Sequence, residues 1–553
     1  MSKTNKNILY TVIAIILVNL LAQQFDVKID MTQDYRFTLS DASVKVIKQV
    51  DEPTQVIVLL KGDFPSYFKR LANETESLLQ DFRDQNPQID YVFINPMDKG
   101  DAYIKELSQK GLQPAQISVQ NSGKIEQVLV FPWAIIKQGN REIPVSLLSN
   151  SYSKNIDQQI QQSIENLEYA LSNGIHLMNA KKEHKIAVIK GNGELDDLHI
   201  ADFLRSLGKK YKLAPFTLDS IATEPKKTLK DLQFYDLAIV AKPTEKFTDK
   251  EKFALDQFVM NGGRMILLLD AVKAHKDTLM YRGKTYALNA ELNLTDMLFA
   301  YGVRIRPELV KDLIAAPVVL KVGQVGNRPQ LKQFPWLYSP LASPNAHHPV
   351  GKNLEMVMLD FVSPIDTLKN QTRKTVLLQS SPKTQLVGVP TEINFDEIGK
   401  KPDINNFTKG TQIFGVLLEG KLKSAFNHRV KPIKIASPKE FGESSVIIIS
   451  DGDIIKNQVD KGKPLALGYD KWSKISYDNK QFLLNTVDYL MDKSGVISLK
   501  NKEVKLRFLD ENKMVSELRF WQFISIGLPL LLLAITGFVF TYFRKKKYGK
   551  RME

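Results

Sequence analysis

Lys185-Ile186-Ala187-Val188-Ile189-Lys190 runs directly into Gly191-Asn192-Gly193-Glu194. A short β-branched run closed by glycines reads as a buried strand with its tight turn, and Phe203, Leu204 and Leu207 beyond it mark one face of a helix. The pattern repeats. Asp236-Leu-Ala-Ile-Val-Ala241 is a second strand of buried type. Thr248 with Glu251 forms a capping box for a helix carrying Phe253, Leu255, Phe258 and Val259, Gly262 and Gly263 end it, and Arg264-Met-Ile-Leu-Leu-Leu-Asp270 resumes the extended form. Strands alternating with helices of this length predict a parallel sheet and an α/β fold. Ser445-Val-Ile-Ile-Ile-Ser450 is expected to return to the same sheet.

Residues 311–440, between these strands, have many prolines and short alternating runs and read as a β-rich insertion. Residues 477–490 resume helical spacing through Phe482, Leu483, Val487 and Leu490. Upstream, Ile156, Ile160, Ile164, Leu167, Leu171, Ile175 and Met178 recur at three- and four-residue intervals, an amphipathic helix expected to connect two α/β regions. Residues 54–136 read β-α-β-α-β-β: Gln55-Val-Ile-Val-Leu-Leu60, a helix over 67–82, Ile89-Asp-Tyr-Val-Phe-Ile94, a helix over 98–110 stopped by Gly111, and then Gln113-Pro114 leading to Ile117–Gln120 and a hairpin ending at Val130. That order resembles a thioredoxin-like domain. Its first strand-to-helix turn is Lys61-Gly62-Asp63-Phe64-Pro65, without sulfur, so a scaffolding or docking role is expected and Pro114 is at most a structural remnant.

Two uncharged apolar runs, residues 7–25 and 520–543, lie at the ends of the chain. As helices they would span roughly 28 Å and roughly 36 Å, enough for a hydrocarbon layer about 30 Å thick. Lys3 and Lys6 precede the first, Asp26 and Asp30 follow it, and Arg544, Lys545, Lys546, Lys547, Lys550 and Arg551 follow the second, so both termini are expected in the cytoplasm and the body outside it. A cleaved signal peptide over residues 1–22 is the competing reading; Leu20 at the small-residue position of an Ala22 site argues against processing.

The 553 residues contain no cysteine, which excludes disulfides, thiolate catalysis and cysteine-ligated metal centres. Of the net charge of +15, the two cytoplasmic ends account for +7, a pattern that follows membrane topology and anionic lipid rather than nucleic acid. The Gly191–Glu194 turn has the strand-to-helix context in which backbone N–H groups hold anions, but it lacks Rossmann spacing and a P-loop ending. Asp451-Gly452-Asp453 and Asp270 both follow strands, at the edge where α/β proteins place ligands. Two acids around a glycine suit a hard cation or, more commonly, a turn. His347 and His348 read as loop residues, and no nucleophile elbow occurs. No catalytic, cofactor or metal residue is therefore expected, and no enzyme activity.

Tyr35-Arg-Phe-Thr-Leu-Ser40, Gly191-Asn-Gly-Glu194, Tyr301-Gly-Val-Arg-Ile-Arg306, Leu418-Glu-Gly-Lys421 with Ser424-Ala-Phe426, and Asn501-Lys-Glu-Val-Lys-Leu-Arg507 occur in this order between the two apolar runs. The combination resembles the gliding-motility-associated ABC transporter auxiliary proteins of Bacteroidetes, the GldG family. The resemblance implies a central domain similar to glutamine-amidotransferase-like folds without their nucleophile, and partnership with a separate cytoplasmic ATPase and a polytopic permease in the inner membrane. Assembly of more than one copy through that complex is a further expectation. The expected layout is a cytoplasmic N-terminus at 1–7, transmembrane helix 8–25, thioredoxin-like domain 26–150, connector helix 151–184, α/β domain 185–310 with its insertion 311–440 and return segment 441–498, stalk 499–518, transmembrane helix 519–543 and basic tail 544–553. The alternative function is a periplasmic peptide- or glycan-binding module of the same transporter.

Overall fold

The computed structural model describes residues 38–121, 124–149, 156–179, 184–326, 328–396, 398–492, 495–501 and 517–548. The first apolar run, the first half of the Tyr35–Ser40 motif, most of the stalk and the last residues of the basic tail lie outside them. Residues 1–502 and 503–553 form two separate units.

In the first unit, helix α1 (Asp41–Lys48) precedes β1 (Thr54–Val58), helix α2 (Ser66–Gln85) and β2 (Ile89–Phe93). β1 and β2 run parallel, Val56 opposite Tyr91, joined by the crossover through α2. The third and fourth strands of this sheet are β3 (Trp133–Gln138) and β4 (Arg141–Ser146), giving the order β2-β1-β3-β4 with β3 antiparallel to β1. The hairpin Ala115–Asn121/Lys124–Val130, which the sequence pattern suggested for those places, forms its own two-stranded ribbon. Helix α3 (Ile156–Asn179) lies on this sheet and buries Ile160, Leu167, Leu171 and Ile175. Gly174 permits the close approach, because a Cβ there would come within 2.5 Å of Ile136 and 2.6 Å of Val145.

A ten-stranded sheet forms the larger body. Its parallel half consists of β5 (Lys185–Lys190), β6 (Lys212–Thr217), β7 (Leu237–Ala241), β8 (Arg264–Leu268) and β13 (Phe441–Ile449). The return of the last of these to the sheet agrees with its sequence pattern. Between β8 and β13 in the chain come β9 (Ala315–Val325), β10 (Arg328–Pro344), β11 (Arg373–Gln379) and β12 (Ile413–Lys423), which extend the sheet antiparallel beyond β13 in the order β9-β10-β11-β12-β13-β8-β7-β5-β6. β7 is buried at every position because helices cover both faces, which is why its sequence is continuously apolar rather than alternating. One face packs α4 (Asp249–Met260), with its Thr248–Glu251 capping box in place; the other packs Ala201–Leu207 and α5 (Asn479–Met491). A third core, around Trp336, Tyr338 and Phe361, lies under the β-rich segments.

Two segments near the ends of the first unit converge on α3. Helix α1 packs against it, and so does the short 3-10 helix Val496–Asn501, which also touches α1. Glu168 of α3 fastens the first of these: one carboxylate oxygen accepts from Ser40 N at 2.8 Å, Ser40 Oγ at 2.7 Å and Ser43 Oγ at 2.7 Å. In the second unit, α6 (Leu518–Tyr548) is the one helix among the described residues long and apolar enough to cross a membrane, and it continues through Pro529.

Candidate functional site

Parallel pairing fixes which loops meet at the carboxyl edge of the large sheet. Leu268 lies opposite both Ala241 and Ile449, so the residues just beyond β7, β8 and β13 emerge side by side. These are Lys242, Asp270 and Asp451 with Asp453. The sequence brought the three aspartates to one edge; Lys242, which nothing in its local pattern marks, lies among them.

Lys242 adopts φ of 55°, a left-handed conformation seldom taken by a side chain of this length. Its ammonium pairs with Asp453 and lies 3.3 Å from Asp270. Gly452 N donates to Asp270 at 2.6 Å and Asp453 N to Asp451 at 2.6 Å, while the other Asp451 oxygen accepts from Asp360 N at 2.8 Å. Asp360 in turn holds Lys276 at 2.8 Å and Ser339. Gly452 has an ordinary right-handed backbone, so its role is spatial: a Cβ would fall 2.5 to 2.9 Å from Cγ, Cβ and Cα of Lys242.

Electrostatics follow from this packing. Burial alone would lower the Lys242 ammonium, but the charges of Asp453 and Asp270 outweigh it and raise the group above its ordinary value. Burial pushes the Asp451 carboxyl well upward, reinforced by Asp453, Asp270 and Asp360, and burial likewise raises Asp270. Each carboxylate is thus held by an ammonium or a backbone amide. The Asp451-Gly452-Asp453 turn locks strands of the sheet to the β-rich segments, and among the described residues no cluster is arranged to hold a metal ion.

The crevice between β5 and β7 is the point where this strand order reverses, the usual ligand position in such folds. Here it is stitched shut. Thr244 N and Glu245 N donate to Asn192 O at 3.0 Å each, Thr244 Oγ1 donates to Gly193 O at 2.9 Å, and Leu195 N donates to Ala241 O at 3.1 Å. The Asn192 N–H that an anion would need donates instead to Glu194 at 2.8 Å. Gly191–Glu194 is therefore a tight turn. An open cavity of about 400 Å³ lies beside Asp270, floored by Leu269, Leu292 and Leu298, with Lys246 and Arg304 in its lining.

Other residues singled out by sequence lie elsewhere. His348 packs its ring 4.6 Å from Tyr489 and accepts from Val350 N; His347 N donates to Asn345 in a turn. Two of the motifs that carry the family resemblance meet at a buried acid instead of at this edge: Tyr301 OH donates to Asp256 at 3.2 Å, and Ser424 Oγ and Ala425 N donate to it at 2.6 and 2.9 Å.

A family model described as an ABC-type uncharacterized transport system matches residues 183–486, more than half of the chain. The chain belongs to this family. It is accordingly an auxiliary component of an ABC-type transport system, associated with a transporter complex. The matched segment begins just before β5 and ends within α5, so it covers most of the large α/β body, Lys242, Asp451 and Asp256 included. A second model, for a domain of unknown function, matches residues 33–137. No curated protein matches the chain. Among solved structures it is similar to the mmIFT52 N-terminal domain, at 12% identity and a TM-score of 0.31, over 55% of this chain and 96% of that one.

Proposed function

We propose that this chain is a non-catalytic, membrane-anchored auxiliary subunit of an ABC transporter complex serving gliding motility, which carries movement of a polytopic permease and its cytoplasmic ATPase to large α/β domains outside the cytoplasmic membrane. Membership of the transport-system family supports the association. The apolar helix α6 supports anchoring, with residues 8–25 as the second anchor and both termini cytoplasmic. The strand order β2-β1-β3-β4 supports reading the first body as thioredoxin-like without redox cysteines, and the doubly covered parallel sheet supports an amidotransferase-like reading of the second. The observation that carries the coupling is the convergence of α1 and Val496–Asn501 on α3. A shift of one anchor relative to the other is then delivered to a single helix that lies on the first sheet.

Co-purification from native membranes tests this. Full-length chain should retain permease and ATPase, deletion of 519–543 should release both, and Pro529→Leu should retain them. Retention by the deletion would refute anchoring through α6. The cavity beside Asp270 favours the second reading, a peptide- or glycan-binding module, for which thermal stabilisation of the chain by such ligands is the deciding measurement.

A further inference from the structure

Between the two α/β bodies lies a second cavity, about 350 Å³, enclosed by β4 and α3 on one side and by α5 with the Lys352–Leu354 turn on the other. Its lining is rich in hydrogen-bonding groups, among them Ser146, Asn166, Asn173 and Gln481. Lys500 lines it as well, at 5% exposure. The Lys500 ammonium donates to Asn485 Oδ1 at 2.7 Å and lies 4.5 Å from the centre of the Tyr169 ring. Among the described residues it has no carboxylate within ion-pair distance.

Asp488 of α5 lies close enough for its charge to act on Lys500, but its oxygens are taken by Lys210 at 2.7 Å and by Tyr211 OH at 2.9 Å. Asp478 accepts from Glu355 N at 2.7 Å. Lys352 adds another cation to the lining. A buried ammonium beside a polar, water-sized or larger space, with neighbouring carboxylates already committed, is an incomplete ion pair whose missing member is an anion.

We propose that the cavity between the two bodies binds a small oxyanion, a carboxylate or phosphate group, with the Lys500 ammonium as its counter-charge and Lys210 and Lys352 at its sides. Lys500 belongs to the short 3-10 helix Val496–Asn501. The ligand would thus join α3, α5 and this short helix at one point. This goes beyond the proposed function and stands whether or not the chain couples to a permease.

Sulfate, fully ionised from pH 5 to 9, serves as the probe, with succinate as the carboxylate arm and inorganic phosphate as the phosphate arm, each against chloride at equal ionic strength. Melting of the full-length chain in detergent is followed at low millimolar anion, where general salting-out effects are small. The wild-type chain should be stabilised by sulfate and by at least one of the other two, and Lys500→Met should lower apparent affinity at least tenfold while Lys500→Arg retains it. Burial lowers Lys500 to about 7 in the free chain, so sulfate affinity should fall roughly tenfold per pH unit above that value. Asp478, Asp488, Lys210, Lys352 and Tyr169 also line the site, and Tyr211, Asp492 and His176 of α3 interact with these groups; burial lowers the His176 pKa. Their contribution to the pH profile persists in Lys500→Met and is subtracted. No stabilisation over chloride, equal affinity in Lys500→Met, or a flat pH profile of sulfate binding to wild type would each overturn the site; the last needs no variant.

Discussion

Lys242 shows how one residue converts a suggestive acidic motif into structure. Asp270, Asp451 and Asp453 invite a cation, and the cation supplied is a lysine from the neighbouring strand end, held in a left-handed backbone by the contacts that enclose it. The glycine between two of these acids answers to that lysine rather than to a turn requirement. Gly452→Ala should therefore destabilise the chain by about 1–3 kcal/mol through overpacking against the Lys242 backbone and stem, measured by urea denaturation. Unchanged stability would mean that Lys242 can move aside at no cost.

At the level of elements, α3 is the most heavily committed helix of the first body. It covers a sheet with one face and receives α1 and Val496–Asn501 on others, which explains why Glu168 and Ser172 are buried along with its apolar stripe, while buried Ser163 accepts from Ser149 N at 2.9 Å. Glu168 satisfies the amide and hydroxyl donors at the start of α1, Ser40 being its N-cap residue. Removing the carboxylate takes the acceptor from the half-buried Ser40 N–H and leaves Ser40 Oγ and the buried Ser43 Oγ only each other and Ser172 Oγ as acceptors. Glu168→Ala should lose about 2–3 kcal/mol of stability and increase hydrogen exchange selectively in residues 40–48, whereas Glu168→Gln, which keeps one acceptor oxygen, should lose less. Equal exchange in α1 of the two variants would show that packing alone holds it.

For the whole molecule, the buried Lys500 makes stability depend on pH in a definite sense. Its folded value is about 7 against an ordinary 10.5, so between these limits the unfolded chain binds more protons than the folded one. Stability must then rise with pH, by up to about 1.4 kcal/mol per unit from this group. Measured without oxyanions from pH 7 to 9.5, wild type should gain on Lys500→Met; a constant difference between the two would place Lys500 in contact with water. The window stops there because tyrosines raised by burial, such as Tyr301, begin to titrate in the unfolded chain above it.

Local sequence suffices for what depends on neighbours in the chain. The alternation of Lys185–Lys190, Leu237–Ala241 and Arg264–Leu268 with helices, the Thr248–Glu251 capping box, the amphipathic stripe of α3 and the apolar length of α6 are all set by residues within a turn or two of one another, where steric preference and burial act directly. Pairing over long distances is another matter. Alternating apolarity offered Ile117–Gln120 and the hairpin to Val130 as the last strands of the first sheet, whereas Trp133–Gln138 and Arg141–Ser146 take those places, with Ile136 docked under Gly174 of a helix far along the chain. The same holds for the chemistry: the edge carrying Asp270, Asp451 and Asp453 was legible as strand ends, but Lys242, Lys276 and Asp360 reach it through the register of β7, β8 and β13 and the folding-back of the β-rich segments. Charge compensation in a buried site depends on separation in space, and separation in space exists only once the sheets have packed.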